Sequence, residues 1–276
     1  YLRGELAQGM FTNYKNVIDS IHPKLPFGLA QIGRAFRNEI AARDFIFRTR
    51  EFDLMEFEYF FDPRNGDWKD LFEMWRTEMY SWMDYVGIKK ELAHEIEKEG
   101  VDLAHYSKRT IDIEFDFPFG QKELYGLAYR TDFDLTQHEK YSGVSQAYVD
   151  DSTGEKFIPH VLEPTFGTNR TILAILTSAY SEEKLGDGET RTVLRFAKKV
   201  APIQIAVLPL SKKEELSSVA AKLSQDLKKI ARVTYDETQS IGKRYRRQDE
   251  IGTPYCVTVD FDTLTDNAVT VRDRDT

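Results

Sequence analysis

Apolar positions recur at three-to-four spacing from Gln8 to Ile21 and at Trp68, Leu71, Phe72, Trp75, Met79, Trp82 and Val86, which predicts two amphipathic helices. Between them His22-Pro23 and Pro26 break the helical period. Gln31-Ile32-Gly33 reads as the lead-in to a strand. After Arg50, apolar residues at Phe52, Leu54 or Met55, Phe57 and Tyr59 alternate as in a strand with one buried face. Asp62-Pro63-Arg64-Asn65-Gly66 is a turn signal. Further strands are expected at Ile111–Phe115, Leu124–Tyr129 and Phe157–Leu162, with a hairpin turn over residues 150–155, and a helix at Arg170–Tyr180. Strands outnumber helices and are joined by short turns, so the first domain, residues 1–197, is expected to be an antiparallel sheet flanked by helices. Beyond Lys198–Pro202 the pattern changes to alternating strands and helices: strands at Ile203–Leu208, Arg232–Tyr235, Pro254–Val259 and Ala268–Val271, helices at Lys213–Ile230 and Gly242–Glu250. Residues 198–276 are therefore expected to form a small α/β domain, and the whole chain to be α+β. The aromatic stripe of the second helix reads as core.

Composition narrows the function classes. The chain has 276 residues and a formal charge of −8, which argues against a protein that coats nucleic acid non-specifically. Residues 198–276 hold 14 Lys+Arg against 12 Asp+Glu, so the excess of acid lies upstream and could meet a cationic ligand. No apolar run approaches the ~20 residues needed to cross a bilayer. The single cysteine, Cys256, lies in the apolar run Tyr255–Val259 and reads as a buried strand thiol, consistent with a reducing cytoplasmic compartment. Five scattered histidines offer no zinc spacing.

The most informative stretch is Phe36-Arg37-Asn38-Glu39, a short loop, then Arg48 to Phe60. Two strands with Arg37 and Glu39 projecting from one and Phe52 from the other would make a nucleotide platform. Arginine offers a planar fork to phosphate oxygens, an aromatic face stacks on a base, and a carboxylate accepts hydrogen bonds from an exocyclic amine. These residues resemble motif 2 of the class II aminoacyl-tRNA synthetases and, in detail, the glycyl-tRNA synthetases. Tyr1-Leu2-Arg3-Gly4-Glu5-Leu6-Ala7-Gln8-Gly9 resembles that family's YLRPETAQG signature, with Gly4 for proline and Leu6 for threonine. Ala104-His105-Tyr106 and Arg130-Thr131-Asp132-Phe133-Asp134-Leu135 resemble its AHY and RTDFDL segments. Glu163-Pro164-Thr165-Phe166-Gly167-Thr168-Asn169-Arg170 resembles motif 3, with Thr165 where serine is common. Residues 241–247 and 271–276 resemble its anticodon-binding domain. The ordered set spans nearly the whole chain.

The resemblance implies activation of glycine with ATP and transfer of the glycyl group to the 3′ end of tRNA-Gly. It implies that Arg37 contacts the α-phosphate, Glu39 the adenine amine and Arg170 the γ-phosphate, with Phe52 stacked on the base and Arg48 on the triphosphate. Arg37, Glu39 and Arg170 would carry the catalysis. Glu123 would hold Mg2+. Glu5, Glu56 and Glu163 would ring the glycine ammonium, Arg130 would take its carboxylate, and Thr165 would border its pocket. It further implies a homodimer in the full-length protein, a motif 1 segment preceding Tyr1 and a helix following Thr276. Lys243, Arg244, Arg246 and Arg247 spread around one helix, so only some could face an RNA strand, where they would mostly fix register on phosphates; an ordinary solvated helix is the alternative for each, and no anticodon-reading residue is assigned. Two rival readings stand beside this one: a non-catalytic synthetase-like accessory that binds nucleic acid, and an enzyme of the same fold that activates alanine or serine.

Overall fold

The computed structural model describes residues 1–186 and 188–276, which fall into two compact units: Tyr1–Met83 with Lys89–Ala174, and Asp84–Ile88 with Ile175–Thr276. In chain order the elements begin with helix α1 (Ala7–Ile21), strands β1 (Phe27–Phe36) and β2 (Glu51–Phe61), and helix α2 (Trp68–Val86). Strands β3 (Ala93–Glu97), β4 (Arg109–Phe117) and β5 (Gly120–Thr131) follow, then α3 (Phe133–Ser142), the short pair β6 (Tyr148–Val149) and β7 (Lys156–Phe157), β8 (His160–Gly167) and α4 (Thr168–Ala179).

The first unit is built on a six-stranded antiparallel sheet in the order β1-β2-β8-β5-β4-β3. Strand alternation gives β2 two different faces. Leu54, Glu56, Glu58 and Phe60 are buried on one of them, so half of that face is acid. There α1 and α3 are anchored by Ala7, Phe11, Tyr14, Leu135, Phe60 and Val161. The opposite face turns Phe57 and Tyr59 toward Trp75 of α2 at ring distances of 6.0 and 5.4 Å, as expected of a core stripe.

Two sequence expectations are corrected, and one helix had no expectation. Strand β1 stops at Phe36, so Arg37 and Glu39 do not project from a strand; they lie in the loop that follows. Arg37 N–H still donates to Arg50 O at 2.9 Å, and Glu39 N–H then turns back onto Arg37 O at 2.8 Å, which ends the ladder. The strand expected at Phe157–Leu162 is split around Pro159, which has no N–H to donate, and runs on from His160 to Gly167. The helix Phe133–Ser142 was not read from the sequence, because its apolar positions are too few to show a period.

The second unit carries the hairpin β9 (Tyr180–Lys184) and β10 (Thr190–Leu194), then β11 (Ile205–Pro209), α5 (Glu214–Leu227), β12 (Val233–Tyr235), α6 (Ile241–Ile251), β13 (Tyr255–Val259), α7 (Thr263–Asp266) and β14 (Thr270–Asp273). Strands β12, β11 and β13 are parallel, and β14 runs antiparallel at the edge. α5 packs on one face through Leu216 and Ala220 against Val207, Val257 and Val259. α6 packs on the other through Ile241 and Tyr245 against Ala206, Leu208 and Cys256. This is the α/β layering that the alternation of apolar runs indicates. No helix among the described residues is long and apolar enough to cross a membrane.

Candidate active site

The loop after β1 and the start of β2 form one wall of a cavity of about 200 Å3. Arg37, Glu39, Arg48, Phe52, Glu56, Glu123, Thr165 and Arg170 all line it, which brings together eight of the residues singled out in the sequence. The Arg37 guanidinium lies 5.2 Å from the centre of the Phe52 ring, and its Nε donates to Gly4 O at 3.3 Å. Arg48 Nη1 donates to Glu39 Oε2 at 3.3 Å. Arg170, third residue of α4, donates from Nη1 to Glu123 O at 2.9 Å, sits 3.1 Å from Glu123 Oε2, and lies 4.3 Å from the centre of the Phe47 ring. Its position at a helix N-terminus adds favourable potential for anions. Gly167 permits this packing, since a Cβ there would come within 3.3 Å of Arg170 Cδ.

Two irregularities in β5 fall at or beside the candidate residues Glu123 and Arg130. The register against β4 shifts at Leu124, next to Glu123, and the register against β8 shifts between Tyr129 and Thr131, which leaves Arg130 as the extra residue. Bulges of this kind re-aim a side chain beside a site. Thr131 completes the second one with a φ of 58°.

Arg130 is 2% exposed and surrounded by acids. Its Nε and Nη2 donate to the two oxygens of Asp134 at 2.8 and 2.9 Å, and Nη1 donates to both oxygens of Glu163 at 2.9 Å. The Tyr106 ring centre lies 3.9 Å from the guanidinium carbon. Burial works to lower the Arg130 pKa, but Glu163 and Asp134 outweigh it and hold the cation charged. Burial pushes Glu163 up to about 7 despite Arg130, with Glu56 and Glu5 adding to the rise. Glu56 is raised by burial as well; its Oε2 accepts the Leu6 N–H at 2.7 Å, which opposes the rise. Glu5 is half-buried and acts on both neighbours by charge. Glu163 and Arg130 do not line the cavity; Glu56, and Thr165 two residues from Glu163 on β8, connect them to it.

Sequence reading missed four participants. Asn169 Oδ1 accepts the Asp53 N–H at 2.8 Å and ties motif 3 to β2. Phe47 carries Arg170. Asp134 holds Arg130, and the four-residue spacing of that pair was a usable signal. Glu58 carries no mark in the sequence to separate it from a surface acid. For a divalent metal, no group of three or more His, Cys, Asp or Glu could hold an ion among the described residues. The half-exposed Glu123 carboxylate is still the hard oxygen donor that magnesium takes alongside nucleotide phosphates, so the donor chemistry fits.

The basic helix of the second unit divides by burial. Arg244 is 2% exposed and donates to Pro209 O at 2.6 Å, Asp236 O at 3.1 Å and Leu210 O at 3.2 Å, so it is a structural cap and is one of the four that cannot face an RNA strand. Arg247 is tied to Asp236, Thr238 and Gln239. Lys243 and Arg246 remain exposed. Arg244→Ala should destabilise this unit by about 2–4 kcal/mol, the cost of stranding buried carbonyls, whereas Lys243→Ala should leave the urea midpoint unchanged. Equal midpoints for the two variants would remove the capping role.

This arrangement, an antiparallel sheet with a cation-rimmed cavity between motif 2 and motif 3 and an α/β unit following, defines a class II tRNA synthetase. The match is direct: the class II tRNA synthetase core domain (G, H, P, S and T) covers residues 1–179, and an anticodon binding domain covers residues 204–276. The chain belongs to this family. It is 53% identical over 276 residues to the glycine–tRNA ligase of Ruminiclostridium cellulolyticum and 52% identical over 277 residues to that of Chlorobaculum tepidum. The glycine–tRNA ligase of Macrococcus caseolyticus is 52% identical. All of this chain aligns, and it spans 58–59% of the length of these relatives.

Proposed function

We propose that the protein carrying this chain is a glycine–tRNA ligase. The carboxylate of glycine attacks the α-phosphate of ATP, giving glycyl-adenylate and pyrophosphate, and the glycyl group then passes to the 3′ end of tRNA-Gly. The observation that carries this reading is the junction, through Glu56 and Thr165, of a cation-rimmed cavity with a buried acid cluster on one sheet face. Both reactants are anionic at the bond-forming atoms, so the protein's task is positioning and charge neutralisation. Arg37 takes the α-phosphate, Arg48 and Arg170 the outer phosphates, Glu39 the adenine amine, and Phe52 the adenine face. Glu123 would hold Mg2+, which supplies further charge neutralisation at the phosphates when bound.

Glycine has no side chain to grip, so its two charges must hold it while crowding excludes larger amino acids. Glu5, Glu56 and Glu163 receive the ammonium. Arg130 has one Nη2 hydrogen left beyond Asp134 and Glu163, and the glycine carboxylate meets Arg130 through that hydrogen. The Thr165 methyl narrows the pocket against alanine and serine. The same reading includes a homodimer, a cytoplasmic setting and a boundary between a core at 1–197 and an anticodon-binding domain at 198–276.

Pyrophosphate exchange into ATP, run with glycine, alanine and serine in parallel, tests it. Exchange is expected with glycine only. None with any amino acid would favour the accessory role, and faster exchange with alanine or serine would remove the glycine assignment. Glu163→Gln should raise the glycine KM about tenfold to a hundredfold, the loss of one charge-assisted contact, with the ATP KM little changed. An equal rise in both would argue against the ammonium role.

A further inference from the structure

Glu58 is the one acid of the cluster to which no role has yet been given. It is 0% exposed, and neither carboxylate oxygen has a hydrogen-bond partner. A buried ionised carboxylate without donors is strongly disfavoured, so such a group carries a proton unless a cation comes near. It sits on the same strand face as Glu56. The pairing of β2 with β8 runs to Glu56↔Thr165 and resumes at Tyr59↔Leu162, so the register sets Glu58 opposite Glu163. Pro164, with no N–H, lies in the gap.

The charged groups facing Glu58 are Glu163 from β8, Arg130 from β5, Asp134 from α3 and Glu56 from its own strand. α1 turns Phe11 and the phenol of Tyr14 toward this face, and β1 sets Leu29 opposite Glu58. One guanidinium thus faces four carboxyl groups, and it spends its hydrogen bonds on Asp134 and Glu163. Burial and then Glu163 hold the Glu58 carboxyl well above the ordinary range.

We propose that Glu58 is a positioning residue that carries a proton in the empty site, which leaves the neighbouring Glu163 free to face the ligand as a carboxylate, and surrenders that proton to solvent when an amino-acid ammonium enters. The inference rests on the glycine reading above. The step balances simply: the Glu58 O–H bond breaks, the proton leaves as hydronium or to buffer, and the incoming ammonium replaces its positive charge. The free ammonium and carboxylate of glycine do not titrate near neutrality, so the released proton reports on the protein. Because binding releases a proton, raising the pH favours binding. Below the pair's apparent pKa, Kd for glycine should fall about tenfold per pH unit, flattening above it.

Calorimetry of glycine binding to the full-length protein, with a non-hydrolysable ATP analogue present, in two buffers of different ionisation enthalpy, counts the protons. About one proton released per glycine near pH 7 is the expected result, clearly reduced in Glu58→Gln to the part that Glu163 supplies, while that variant still binds the analogue. Glycine bound with no proton released, or release undiminished in Glu58→Gln, overturns the inference and leaves the glycine reading intact. No glycine binding to the wild-type protein overturns both. Should Glu58→Gln fail to fold, the wild-type proton count and the slope of log Kd against pH decide by themselves.

Discussion

Arg170→Ala should lower glycine-dependent pyrophosphate exchange about 100- to 1000-fold, the range seen when one preorganised donor is removed from developing transition-state charge. The side chain leaves the first turn of α4, rests on Phe47 and is aimed across the cavity by Glu123, through both its carbonyl and its carboxylate. The variant loses a hydrogen bond to a backbone carbonyl, the half-exposed ion pair with Glu123 and the contact with Phe47, so stability should drop by about 1–2 kcal/mol. Arg37→Ala should behave alike, because Arg37 stands on an exposed loop. Lysine at 170 should restore part of the rate, as it keeps the charge without the planar fork. Exchange within fivefold of wild type in both alanine variants would defeat the assignment of the cavity to ATP.

Arg130→Leu should have the largest effect on stability. It leaves Glu163, Asp134 and Glu58 buried with no cation among them, and breaking a buried pair from one side costs about 3–5 kcal/mol. The pH dependence gives a second check. Without the guanidinium, Glu163 and Glu58 have folded-state pKa values further above their unfolded ones, so the folded state binds more protons and stability rises as pH falls. Glu163 is already pushed up to about 7, so the deficit in urea midpoint should be greatest at pH 7.5 and shrink toward pH 5. A loss below about 1 kcal/mol at pH 7.5 would mean that Arg130 does not neutralise the cluster.

Much of this was legible in the residues. Alternation along Phe52–Tyr59 and the three-to-four spacing of Trp68–Val86 define β2 and α2, because each element buries one face and its period survives in the sequence. The candidate cavity was legible for a different reason: Arg37, Glu39, Phe52 and Arg170 lie in short segments whose order resembles a known family. The position of Arg37 and Glu39 on a loop was not legible, since the ladder ends where one hydrogen bond turns back, and either outcome suits the same residues. Nor was the division of the basic helix, because Lys243 and Arg244 are adjacent and only packing against Pro209 and Asp236 tells them apart.

By itself the chain's sequence determined many of the elements, the two-part architecture and the identity of the cationic, acidic and aromatic groups gathered in the family-like segments, because periodicity and residue chemistry are local properties. Tertiary structure alone decided which acids share one space. Glu56, Glu58, Glu163 and Asp134 come from two strands and a helix, and burial and Arg130 act together on the charges of the three glutamates. Desolvation and Coulomb interaction depend on distances through space, which no spacing along the chain encodes.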